Sequence, residues 1–124
     1  MNAIHFSWQQ LMGELPEFAP VPVPVGAPVS MVRSASHQAP GPAPANTRAG
    51  VWECTPGTWL RQVRQAEFCH FLEGRALFVP ADGGAPMQIA AGDVVYFPRD
   101  SLGEWTILET SRKIYILFDE SQSA

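Results

Sequence analysis

Three side chains that could do chemistry fall within one short stretch, Glu67-Phe-Cys-His-Phe-Leu-Glu-Gly74: the carboxylate of Glu67, the thiol of Cys69 and the imidazole of His70. These are the donor types that hold a transition metal, and a thiol beside an imidazole is a nucleophile with its base. Spacing decides among these chemistries. The stretch alternates as a β-strand does, so residues two apart share a face and adjacent ones do not. Glu67 and Cys69 therefore point one way and His70 the other. That alternation disfavours a shared Glu67–His70 metal, and it leaves Cys69 with no evident base on its own face.

A carboxylate that faces a protein interior needs a partner, because an unpaired buried charge is expensive. Arg61, Arg64 and Arg75 are near Glu67 in sequence. One outcome is a structural Glu–Arg pair. Another is a cup lined by Glu67, Arg61, Gln62, Cys69 and aromatic side chains, which would bind a small polar molecule through hydrogen bonds and charge. A third is a metal held by Glu67, Cys69 and Gln62, or completed by His5 or His37 from the N-terminal region. His70, between Phe68 and Leu72, reads as a packed residue at a sheet or subunit contact. Trp52, Trp59 and Trp105 read as core or interface anchors.

The elements that must position these residues are short strands. Val51–Cys54, Thr58–Arg64, Glu67–Leu72, Ala76–Val79, Met87–Ala90 and Val94–Phe97 are separated by turn residues such as Pro56-Gly57 and Asp82-Gly83-Gly84. Trp105–Leu108 and Lys113–Phe118 read as a hairpin around Glu109–Arg112. Many short strands without a long helical pattern predict an all-β sandwich or barrel. The strand Ile114–Phe118 is apolar on both faces, which predicts burial against an arm or a second subunit.

Residues 1–49 differ from residues 50–124. Ile4, Trp8, Leu11 and Leu15 have helical spacing and Ser7 is placed to cap a helix of one or two turns. The prolines from Pro16 to Pro28 then force an extended arm that can lie only on an edge or over a surface. It could wrap its own domain or cross to a second subunit. Val29–Arg33 reads as a short strand and Ser34–Ala49 as a mobile loop. The expected organisation is thus an arm and loop over 1–49, with possible edge strands, and a barrel over 50–124.

The hydrophobic share of 46% supports a real core in a single domain of 124 residues, and the net charge of −4 offers no basic stripe for nucleic acid. No apolar run is long enough to span a bilayer. The start, Met1–Leu11, lacks the pattern of a signal peptide, so a cytoplasmic location is expected. Cys54 and Cys69 lie on separate predicted strands without a Cys-x-x-Cys spacing and are expected to be reduced.

Four motifs in order, Gly50-Val-Trp-Glu-Cys-Thr-Pro-Gly57, Glu67–Gly74, Ala91-Gly-Asp-Val-Val-Tyr-Phe-Pro98 and Gly103-Glu-Trp105, closely resemble the small cupins grouped with the ureidoglycine aminohydrolase cupin domain, to which ethanolamine-utilisation cupins are related. The resemblance covers about Gly50–Phe118. It implies an RmlC-like cupin double-stranded β-helix, or jelly-roll barrel, usually a homodimer. In metal-binding cupins the first motif supplies two histidines and a glutamate and the second a third histidine. Here Glu67 matches the glutamate, Gly74 the glycine that ends that strand, and Gly92 and Pro98 the second motif. The histidine positions fall on Leu60 and Gln62, or on Arg61 and Val63. Beyond Pro98 there is no histidine, and Trp105 stands near the third ligand position, which adds it to the candidate cup.

Three functions follow as expectations. The first is a cupin without the usual metal that binds a small polar molecule in the barrel mouth. The second is a metal-dependent hydrolase or isomerase resembling ureidoglycine aminohydrolase, with Glu67 and non-standard ligands for manganese, zinc, iron or nickel. The third is a non-catalytic structural or regulatory dimer module. The first is favoured, with no cofactor, a second copy of the chain as partner, and no nucleic-acid or membrane partner.

Overall fold

A computed structural model describes residues 3–120. Its elements are α1 (Trp8–Met12), β1 (Ala19–Pro20), β2 (Met31–Gln38), β3 (Arg48–Cys54), β4 (Gly57–Val63), β5 (Ala66–Pro80), β6 (Met87–Ala90), β7 (Val94–Phe97) and β8 (Ser101–Phe118). Two long strands organise the rest. β5 and β8 pair antiparallel from Ala66↔Phe118 to Pro80↔Gly103, with register shifts between Phe71 and Ala76. Each half of this ribbon recruits different neighbours. The C-terminal half of β8 pairs with β3, and β3 with β2, while the N-terminal half of β5 pairs with β7. The N-terminal half of β8 pairs with β4, and the C-terminal half of β5 with β6. The ribbon bends where the register shifts, because an extra residue on one strand increases local twist. The sheet therefore curls over itself into a barrel.

Two sequence expectations are corrected here. Glu67–Leu72 and Ala76–Val79 are one strand, bent but unbroken at Gly74. Glu109–Arg112 is no hairpin turn: β8 runs straight through it. Bulges supply the bend that turn residues were expected to supply. Gly74 has φ +97, and a Cβ there would sit 2.6 Å from Ser111 Cα, so glycine serves close approach of the two strands rather than a reversal. A third correction concerns Ser34–Gln38, which extends β2 against β3 instead of forming a loop. Its Ser-Ala-Ser-His alternation is a weak strand signal until a partner strand supplies the ladder.

Inside the barrel, Trp105 is fully buried and meets four other rings: Phe78 at 5.0 Å, Phe97 at 5.8 Å, Trp52 at 6.0 Å and Phe71 at 6.1 Å between centroids. These rings come from β3, β7 and both halves of the ribbon, so they tie the two sides of the barrel together. Each such pair is worth about 0.5–1.5 kcal/mol beyond simple burial.

The N-terminal segment lies on its own barrel. Ser7 Oγ accepts from Gln10 N–H at 3.0 Å and caps α1. Leu11 is buried against Ala49 and Val51 on the outer face of β3, with Phe6, Met12, Leu15 and Ile114 around it. The proline run continues along the barrel, where Val25 N–H donates to Thr58 O, Leu60 N–H donates to Val23 O, and Val21 is buried. Among the described residues no helix is long and apolar enough to cross a membrane.

Candidate functional site

Glu67 is buried in the barrel, and both its carboxylate oxygens are taken by cations. Arg61 Nη2 reaches Oε1 at 2.9 Å from β4, and Lys113 Nζ reaches Oε2 at 2.7 Å from β8. Alternation explains the convergence. Trp59, Arg61 and Val63 point inward on β4, as Glu67 and Cys69 do on β5 and Lys113 and Tyr115 on β8. Lys113, the only lysine of the chain, has no exposed surface. Its ammonium lies 4.7 Å from the ring centre of Trp52 and 5.5–5.7 Å from those of Phe97, Phe71 and Trp105. Ring faces carry negative charge, so this cage favours a cation.

The electrostatics follow from burial and pairing. Burial alone would push the Glu67 carboxyl up, but the Lys113 ammonium and then the Arg61 guanidinium outweigh it and hold the group down at about 2. Burial pulls Lys113 below the usual lysine range, against the attraction of Glu67. Cys69 is pushed up to about 11, chiefly by burial, and its thiol faces Val95 O at 3.6 Å. It is a neutral thiol at physiological pH. Cys54, likewise raised to about 11 by burial, is a second inert thiol, and neither is in a disulfide.

These residues do not fit the metal that metal-binding cupins hold. A cation needs a free carboxylate oxygen and further donors, whereas both Glu67 oxygens are engaged and its nearest sulfur is protonated. Among the described residues no three His, Cys, Asp or Glu side chains converge as a metal site would require. Lys113 supplies the positive charge instead.

Of the side chains proposed from sequence, the structure brings Glu67, Arg61, Cys69 and Trp105 into the interior and leaves Gln62 outside, facing solvent beside Leu60. Arg61 at the first-histidine register and Val63 at the second both point inward. Trp105 lies at the centre of the core rather than at the mouth. His70 is exposed on the outer face, as alternation predicts. Arg64 and Arg75 are exposed and give way to Lys113 as the second partner of Glu67. Lys113 was missed. Its signal was available: a lone lysine in step with the inward positions Tyr115 and Leu117 of an otherwise apolar strand.

An open cleft of about 580 Å³ lies beyond this triad at one end of the barrel. Its floor is Phe78 and Phe97, and its walls come from the turns after β5 and β7. Phe97 connects the two regions, since the Arg61 guanidinium lies 5.6 Å from the same ring. Arg61 also carries a buried Nη1 with no hydrogen-bond partner among the described residues.

The curled sheet, with its paired long strands and inward carboxylate, defines a small cupin barrel. More narrowly, the chain belongs to the EutQ-like cupin domain family, which it matches over residues 43–115. A DUF861-family protein from Thermotoga maritima is 34% identical, with a TM-score of 0.53 over 55% of this chain and 76% of that one. The EutQ protein of Clostridium difficile shares the fold at 13% identity, with a TM-score of 0.58 over 75% of this chain and 71% of that one. A DUF861-family protein of unknown function from Pseudomonas syringae pv. tomato is 23% identical, with a TM-score of 0.63 over 83% of this chain but 45% of its own length. No curated protein matches.

Proposed function

We propose that this chain is a metal-independent cupin that binds a small molecule in the open end of its barrel. The observation that carries the reading is the Lys113–Glu67–Arg61 triad: a side-chain ammonium, caged by four rings, holds the carboxylate that metal-binding cupins turn to their metal. With that charge balanced internally, the space left for a ligand is the cleft above Phe78 and Phe97, whose volume suits a small organic molecule. Elemental analysis of protein purified without chelators or an affinity tag tests the metal-free part. Less than about 0.1 equivalent of manganese, zinc, iron or nickel is expected. A stoichiometric metal would overturn the reading in favour of a metal-dependent cupin resembling ureidoglycine aminohydrolase.

The partner this reading includes is a second copy of the chain. On the outer face of the barrel, α1 covers Ala49, Val51 and Ile114, and the same face continues uncovered across Ile116, Phe68, Tyr96 and Val94. Phe68 lies tilted against Tyr96 at 5.0 Å and stacks on Phe118 at 5.8 Å between ring centres, forming an apolar patch. His70 lies within this face beside Val94 and Ile114, and the Glu120 carboxylate accepts the Tyr96 hydroxyl at its edge; the rest is apolar, which suits a two-fold contact of the patch with itself. Sedimentation at micromolar concentration should give a dimer for the natural chain and a monomer for Phe68→Glu. A monomeric natural chain would remove this part.

A further inference from the structure

We infer that the cleft at the end of the barrel selects a small organic cation, an ammonium carried on an apolar body. This rests on the proposed reading that the cleft is the binding site, and it names the ligand class. The floor and walls are hydrocarbon and aromatic, with Phe78, Phe97, Met87 and Leu102 among them. Among the described residues, the charged side chains that line it, Asp82 and Asp100, are both acidic, and no lysine, arginine or histidine lines it. The ladder puts both on one rim. β5 ends at Pro80↔Gly103, and Ala81 N–H then donates to Leu102 O, so Asp82 follows directly opposite the turn that carries Asp100.

Neither carboxylate is neutralised within the protein. Asp82 Oδ1 accepts only the backbone N–H of Gly84 at 2.8 Å, which leaves its charge in place. Asp100 has Arg99 Nε at 3.8 Å, but those side chains are 69% and 50% exposed, and such a surface pair holds weakly. Apolar walls below two carboxylates recognise an amine by area and charge together. Aromatic faces beneath the ammonium add to the attraction. An anion would meet repulsion from both aspartates, and the nearest guanidinium groups are those of Arg99, beside Asp100 at the surface, and Arg61, paired with Glu67 behind Phe97. The Lys113 ammonium, deep behind Phe97, is already held by Glu67.

Three probes of matched shape test this: 2-phenylethylamine, 2-phenylethanol and phenylacetate, each titrated into the full chain while amide shifts of residues 81–87 and 96–102 are followed by NMR. The amine is expected to bind about tenfold more tightly than the alcohol, a difference of about 1.4 kcal/mol, and phenylacetate more weakly still. The Asp82→Asn/Asp100→Asn variant should erase the preference for the amine over the alcohol. Asparagine retains the Oδ1 acceptor at position 82 and tolerates the φ of +66 at position 100, so the fold is kept. Equal affinities, a preference for phenylacetate, or an amine preference that survives the double variant would overturn the inference while leaving the cleft as a binding site. Shifts from none of the three would overturn both. A bound metal would show separately, in the elemental analysis.

Discussion

Replacing Lys113 by methionine removes one charge from the barrel centre and almost nothing else. The methionine side chain still fills the cage of Trp52, Phe71, Phe97 and Trp105, so the loss measured is electrostatic rather than a cavity. Glu67, 1% exposed, then has only Arg61 to balance it. Breaking a fully buried ion pair by removing one partner costs roughly 3–5 kcal/mol, because the remaining charge stays desolvated. For a domain of this size that is a fall in Tm of about 10–20 °C. Adding Glu67→Gln to the same chain removes the buried carboxylate and leaves Arg61, whose side chain is 17% exposed, to draw on solvent, so much of the loss should be recovered. About 1–2 kcal/mol should remain, since the amide oxygen introduced at position 67 can still accept from Arg61. The double-mutant cycle then reports a coupling of at least about 2 kcal/mol between positions 67 and 113. Urea unfolding followed by tryptophan fluorescence measures all four corners, with unchanged m-values confirming a common unfolded reference. A Lys113→Met protein within about 1 kcal/mol of the natural chain would refute the reasoning. It would mean that Glu67 is hydrated, or protonated and neutral, in the folded barrel.

Acid should destabilise the barrel through Glu67. Its folded pKa of about 2 lies below the ordinary 4.5, so its contribution is complete above pH 4.5 and is lost as pH falls through about 2. The shift corresponds to about 3 kcal/mol, and the slope of stability against pH between 5 and 2 should flatten by that order in Glu67→Gln, measured by urea titrations across the range. Gly74→Ala should cost more than about 2 kcal/mol in the same assay, because alanine meets both a φ of +97 and the Ser111 backbone. Cys54 and Cys69 should resist alkylation by iodoacetamide at pH 8 in the folded protein and both react in urea, counted by mass spectrometry. Burial holds both thiols near 11, so rapid labelling of either would contradict the packing.

What was legible in the sequence was local. Alternation along Glu67–Gly74 correctly separates His70 from Glu67 and Cys69, since a strand's side-chain period needs no knowledge of its neighbours. The cap at Ser7 and the cupin motifs are local patterns too. What escaped depended on pairing. Whether Leu60 and Gln62 or Arg61 and Val63 face inward is a one-residue difference in register, and only the ladder from β4 to β8 decides it. The continuity of β5 and β8 escaped for the same reason. A bulge and a turn can use the same glycine, and what distinguishes them is the strand across the way. Lys113 was hidden because lysine ordinarily marks a solvent-facing position, and here the partner that reverses the rule is 46 residues distant.

That separation has a kinetic consequence. β5 and β8 are paired along their lengths, and every other strand from β3 onward attaches to one of them, so apart from the β5–β6 hairpin most native contacts in the barrel are long-range. Closing such long loops precedes any reward from the contacts they permit, which places folding toward the millisecond-to-second range of β-rich topologies. The charges of Glu67 and Lys113 can shed their water only after the ribbon has zipped and the rings have closed over them. A pairing formed that late should slow unfolding more than it speeds folding, so its main effect is on the lifetime of the native barrel.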